Sequence, residues 1–229
     1  MKETAGEFWG ELSGEYDEII RKLVSPYPAM LWALFYYLPT DFAPSRILEL
    51  GCGTGNLTSA IRKRWPQCEI VIVDAAQQML EKTTQRVGSN LLTPILSKFE
   101  QLNFEPKSFD YITSSLALHH LPTANFKLFL ESCYSWLKPG GVYGILDCVR
   151  AESSRLYDRA NEYWIELAKK HGLSDMEMQD QINHHRAHDH YPVVIDLACW
   201  LRDTGFEEVD ILWRHCIWAV LQGRKPMEG

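Results

Sequence analysis

The run Glu49-Leu-Gly-Cys-Gly-Thr-Gly-Asn56 sets glycines at alternate positions, Gly51, Gly53 and Gly55. It follows a short β-type run, Arg46-Ile-Leu-Glu-Leu50, and precedes Leu57, Ala60, Ile61 and Trp65 at helical spacing. Glycine has no Cβ, so a strand-to-helix turn of this kind lets backbone N–H groups approach a polar ligand. Twenty-three residues after Gly51, at the end of the next β run, stands Asp74. A carboxylate there can accept hydrogen bonds from both hydroxyls of a ribose. Two parts of one nucleoside site are thus in register. A dinucleotide fingerprint needs G-x-G-x-x-G, and Asn56 stands where its third glycine would be.

Histidine is concentrated in two places. His119 and His120 lie just past a β run, at the sheet edge where open α/β folds bind ligands. His119 is the candidate for chemistry there and His120 an acceptor-side neighbour. The second place is His184-His185-Arg-Ala-His188-Asp-His190, with four histidines in seven residues. On a helix His184 and His188 share a face, a spacing that can bind metal. With no committed carboxylate or cysteine partner, no metal is expected. These histidines, His188 and His190 foremost, are instead candidates with Tyr191 for a lid or acceptor pocket, beside the plainer reading of a solvated surface or interhelix hydrogen bonding. Trp164, Trp200, Trp213 and Trp218 could cage a cationic acceptor, but core packing is the expectation.

These residues need a scaffold. Residues 3–24 carry apolar side chains at helical spacing, and Pro26, Pro28 and Pro39 bracket a second short helix. Further β runs are expected at Glu69–Val73, Pro94–Leu96, Phe109–Ser114 and Val142–Asp147. Helices alternate with them, and Pro139-Gly140-Gly141 reads as a turn before the fifth strand. Residues 152–186 look helical, with Leu156, Tyr163, Trp164, Leu167 and Ala168 inward. A helix then runs to Gly205, and Val209–Trp213 and Ile217–Leu221 form an edge hairpin. The expected fold is a three-layer α/β/α sandwich on a seven-stranded, mostly parallel sheet with an antiparallel last strand. It is one domain: a helical cap (1–40), a core (41–150), a helical insertion or lid (151–192) and a C-terminal helix and hairpin (193–229).

With these motifs in order, the sequence resembles the class I (Rossmann-like) S-adenosylmethionine-dependent methyltransferases. Glu49 to Gly55 is similar to that family's first motif and Val71-Ile-Val-Asp74 with Gln77-Gln-Met-Leu80 to its second. Phe109 to Leu121 is similar to its fourth-strand segment and Leu137-Lys-Pro-Gly-Gly141 to its approach to strand five. The resemblance implies S-adenosylmethionine as cofactor and S-adenosylhomocysteine as product. Gly51, Gly53 and Gly55 would line the methionine portion, with Glu49, Cys52 and Asn56 in the same loop, and Asp74 would hold the ribose. Ala75 and Met79 would flank the adenine, with Lys98 and Phe99 at its edge, and Ser114, Ser115 and Leu116 would pass under the sulfonium. Tyr16 matches an N-terminal tyrosine that covers the cofactor and is a second candidate for chemistry. The family's acidic residue after strand three is replaced by Ser97 or Lys98.

The formal charge of −7 on 229 residues disfavours a nucleic-acid surface, so a small-molecule acceptor is expected. Arg62-Lys63-Arg64 is most simply a solvated helix face. Six scattered cysteines fit reduced thiols in a cytoplasmic protein. The N-terminus is polar and acidic, unlike a signal peptide, and no apolar run is long enough to span a membrane. A homodimer is compatible with the sequence. Two alternatives share the cofactor: a non-catalytic binding protein, and an enzyme similar to carboxy-S-adenosylmethionine synthase. The second is suggested by Trp200-Leu-Arg-Asp-Thr-Gly-Phe206 and Gly223-Arg-Lys225. The latter resemblance implies an arginine where this chain has Trp200. A nicotinamide or flavin oxidoreductase is disfavoured by the glycine spacing.

Overall fold

The computed structural model describes residues 16–228, with side chains from Asp17 onward. The expected helix over 3–24 is therefore seen only as α1 (Tyr16–Leu23), and the side chain of Tyr16 lies outside the described residues. The chain continues as α2 (Tyr27–Tyr36), β1 (Arg46–Leu50), α3 (Asn56–Arg64), β2 (Glu69–Asp74), α4 (Gln77–Val87) and β3 (Leu92–Leu96). Then come β4 (Phe109–Ser115), α5 (Thr123–Trp136), β5 (Leu137–Cys148), α6 (Ser154–Lys170), α7 (Asp175–His188) and α8 (Val194–Thr204). It closes with β6 (Glu207–His215) and β7 (Trp218–Arg224).

The seven strands form one sheet in the order β3-β2-β1-β4-β5-β7-β6. Only β7 runs antiparallel to its neighbours. Parallel strands covered on both faces need continuous apolar runs, and the central strands supply them: Ile47, Leu48 and Leu50 on β1, Tyr111 and Ile112 on β4, all buried. One face packs α1, α2, α3, α6 and α7 through a core containing Leu34, Ile61, Trp164 and Met178. The opposite face packs α5 and α8 through Phe126, Leu130, Leu197 and Leu201. The result is the three-layer arrangement.

Three local expectations need correction. Pro139-Gly140-Gly141 is not a free turn: α5 passes directly into β5, and Gly140 N–H donates to Lys225 O at 2.9 Å. Residues 152–186 form two helices, because Gly172 turns the chain at φ 91° and Ser174 starts α7 in a reciprocal capping box with Glu177. Leu156 and Tyr163 face out, 50% and 43% exposed, while Trp164 and Ala168 carry the inward face. The ends of this insertion are pinned together. Arg150 N–H donates to Pro192 O at 2.9 Å and Val194 N–H to Arg150 O at 3.2 Å, a parallel bridge beside the carboxyl end of β5.

Candidate functional site

The loop from β1 to α3 is held to the end of β2. Gly51 and Cys52 N–H both donate to Val73 O, at 2.8 and 3.0 Å, and Gly53 N–H donates to Asp74 Oδ2 at 2.9 Å. Asp74 Oδ1 accepts from Ala76 N–H at 2.9 Å. Each carboxylate oxygen keeps acceptor capacity towards the cavity it lines. Burial raises the Asp74 carboxyl, an effect the amides of Ala76, Gly53 and Ala75 oppose. Gly51 has φ 74°, and a Cβ there would lie 2.2 Å from Ala117 Cβ. Glycine is thus required both by backbone conformation and by close packing.

Beneath this loop, Glu49 is fully buried, and burial pushes its carboxyl up to about 8, an effect that neighbouring Thr58 opposes only in part. Across it lies Asp17 of α1. Asp17 Oδ1 accepts from Thr54 Oγ1 at 2.5 Å and from Asn56 Nδ2 at 3.1 Å, and Arg86 pairs with Oδ2. The first described helix is thereby tied to the glycine loop. Farther along the sheet edge, Tyr27 OH lies 2.9 Å from Ser115 Oγ, and Leu116 takes the left-handed region at φ 53°. Such backbone strain concentrates at functional sites.

Beyond β4 and β5 the groups change character. His119 Nδ1 hydrogen-bonds Asp147 Oδ1, and Asp147 also accepts from the backbone N–H groups of Leu118, His119 and Cys148 at 3.0, 3.2 and 2.7 Å. On its other side, His119 Nε2 is 3.7 Å from Asp189 Oδ1. The same oxygen is 3.1 Å from His120 Nδ1 and 3.7 Å from His184 Nε2. Asp189 Oδ2 lies 3.2 Å from His185 Nδ1, whose Nε2 is 2.9 Å from Tyr157 OH. Tyr191 stacks on His185 and meets His119 edge-on. Burial disfavours a charged His119, but the flanking Asp147 and Asp189 outweigh it and push the ring up to about 9. Burial takes His184 down to about 4. Burial also opposes ionisation of Asp189, yet His119, His120 and His185 hold it well below the usual carboxylate range.

One cavity of about 760 Å³ joins these groups. Of the residues singled out from sequence, Gly51, Cys52, Gly53, Asn56, Asp74, Ala75, Met79, Lys98, Phe99, Ser115 and Leu116 line it. His119, His120 and Tyr191 line its other end. Glu49 and Gly55 sit behind the wall, and Ser114 Oγ donates to Leu50 O at 2.8 Å instead. His188 and His190 are not among the lining residues. His188 packs on the ring of His184, and His190 is exposed, only its backbone N–H reaching His119 O at 2.7 Å. Of the histidine cluster, His184 and His185 line the cavity, and sequence reading missed Asp17, Tyr27, Glu100, Gln181 and Asp189. The tryptophans take the expected core positions: Trp164 and Trp218 are buried and also line the cavity, whereas Trp213 and Trp200 pack against opposite cores.

Residues 47–141 match the family model described as a methyltransferase domain. A carboxy-S-adenosyl-L-methionine synthase from Hydrogenovibrio crunogenus is 23% identical, over 78% of this chain and 74% of that protein. A sterol 24-C-methyltransferase from Candida albicans is 31% identical over 51% of this chain and 31% of its own. Among solved structures, an S-adenosylmethionine-dependent methyltransferase from Thermotoga maritima shares the fold at a TM-score of 0.65. It is 19% identical, with 96% of this chain and 99% of that one covered.

Proposed function

We propose that the chain, whose residues 47–141 match a methyltransferase-domain model and whose fold is shared with S-adenosylmethionine-dependent methyltransferases, transfers a methyl group to a small molecule held at the histidine end of its cavity. Its cofactor, S-adenosylmethionine, supplies when bound an electrophilic methyl group on a sulfonium centre. The residues present fit that group. Asp74 has acceptor capacity left for ribose hydroxyls, and the close approach at Gly51 leaves backbone rather than side chain facing the cavity. Phe99 and Met79 offer apolar surface beside the adenine, and Asp17 fixes α1 over the loop.

In-line methyl transfer depends chiefly on holding the acceptor at attack distance and angle, with a base required only if the acceptor starts protonated. His119, fixed by Asp147, and Tyr191 would position the acceptor, while Trp164 and Trp218 keep water from that end. The observation that carries this reading is the single cavity running from Asp74 to Asp189, large enough for a nucleoside and a second small molecule. Asp74→Ala should weaken S-adenosylhomocysteine binding by roughly 1–3 kcal/mol in calorimetry, the loss typical of a partnered polar group. Unchanged affinity would remove Asp74 from the site. Release of S-adenosylhomocysteine across a metabolite panel then tests transfer itself.

The relatives named as carboxy-S-adenosyl-L-methionine synthases favour a second reading, in which the cofactor is itself the substrate. An added carboxylate would need a cationic partner. Trp200 packs against Phe126 in the core, and among the described residues Lys98, at the opposite end, is the lysine or arginine lining the cavity. Mass spectrometry of the copurified ligand separates the readings: a carboxylated cofactor would displace methyl transfer.

A further inference from the structure

We propose that the histidine end of the cavity binds one divalent transition-metal ion of the zinc or iron(II) class, held by His119, His120 and Asp189 with His184 alongside. Donor atoms of the first three lie within 4.8 Å of one another. Around Asp189 Oδ1 the imidazole nitrogens stand at 3.1 Å (His120), 3.7 Å (His119) and 3.7 Å (His184). Ligands about 2.0–2.2 Å from a tetrahedral ion are separated from each other by about 3.4 Å, so these spacings bracket the edges of a coordination polyhedron.

The surrounding groups orient the donors. Asp147 engages Nδ1 of His119, which turns its Nε2 towards Asp189. His185 takes Oδ2 of Asp189 and is itself held by Tyr157, which leaves Oδ1 for the shared centre. A carboxylate behind a ligating histidine fixes its tautomer and raises its basicity, as metal sites require. A second trio, His119, Asp147 and Cys148, also lies within 4.8 Å. Both oxygens of Asp147 are already committed to N–H donors, so the ion belongs on the Asp189 side.

Several imidazoles and one carboxylate select zinc, iron(II), cobalt or nickel over magnesium or calcium, which prefer oxygen ligands. The site deepens the reading above, on which this last step rests: the ion would orient an acceptor that carries an oxygen or nitrogen donor. Metal binding itself can be measured without turnover. The full chain, free of any histidine tag, is stripped with chelator and titrated with Co²⁺ while its visible absorption is followed. S-adenosylhomocysteine calorimetry runs in parallel as a check on folding. We expect about one equivalent per chain with an intense low-coordination cobalt band. Asp189→Ala and His120→Gln should weaken uptake by about tenfold or more, and Asp147→Asn by a similar factor through His119, with S-adenosylhomocysteine affinity retained. Equal cobalt uptake by the unmutated chain and both ligand variants, or none by any of them, overturns the metal site and leaves the methyl-transfer reading standing. Loss of S-adenosylhomocysteine binding in the unmutated chain overturns that reading, and the cobalt band then judges the metal alone.

Discussion

At the glycine end of the cavity the polar groups are chiefly backbone amides fixed by the sheet, with Asp74 two hydrogen bonds deep among them. At the histidine end they are side chains drawn from the ends of β4, β5 and α7, organised around Asp147 and Asp189. The first kind of site is specified by a short stretch of chain and tolerates little change. The second is assembled from distant segments and can be altered one side chain at a time.

The contrast is broken most severely at Gly51. Gly51→Val adds branched atoms where a Cβ already meets Ala117 at 2.2 Å, on a backbone at φ 74°. Strain and overpacking together should cost about 3 kcal/mol or more, read by chemical denaturation and as lost S-adenosylhomocysteine binding. A stable variant that still binds would mean the loop is not rigid. His119→Ala should do the reverse, lowering turnover by about 10²-fold with cofactor affinity little changed. Equal losses in both would assign His119 to the glycine end or to folding.

Next is the buried carboxyl beneath the loop. Glu49 has an ordinary value of 4.5 and is pushed up to about 8, so the folded chain holds a proton that the unfolded chain has released. Stability should therefore fall as pH rises from about 4.5 to about 8, by at most about 1.4 kcal/mol per pH unit. Glu49→Gln should flatten that slope in denaturation at several pH values, and an unchanged slope would exclude Glu49 as its source. The smallest effect is expected at Asp17, which is about one-third exposed. Asp17→Asn should cost about 1 kcal/mol or less, because solvent screens its charge, while loosening α1 enough to raise the cofactor dissociation constant measurably.

The same contrast sets what could be read from sequence. Gly51, Gly53 and Asp74 were legible because one strand-turn-helix unit and the strand after it fix their spacing. Crowding of histidines drew attention to His188 and His190, but the chain leaves α7 and runs extended from Asp189. Successive residues then alternate, so Asp189 and Tyr191 face the cavity and His190 faces out. His184, His185 and Gln181 share the inner face of α7 at spacings of three and four residues, a pattern visible in sequence but without meaning until α7 had a neighbour. Asp17 and Tyr27 act through contacts 37 and 88 residues away, for which local spacing carries no signal. Pro139-Gly140-Gly141 misled because the Pro-Gly-Gly signal marks a bulge inside β5, where the register with β4 shifts between Leu137 and Val142 and the backbone pairs with Lys225 instead.

The bridge between Arg150 and Val193 closes residues 151–192 into an excursion that departs from and returns to one point of the scaffold. Entropy of closure grows only slowly with the length of such an excursion. Exchanging it as a cassette is therefore expected to remodel the histidine end of the cavity while the loop from β1 to α3 and Asp74 stay in place.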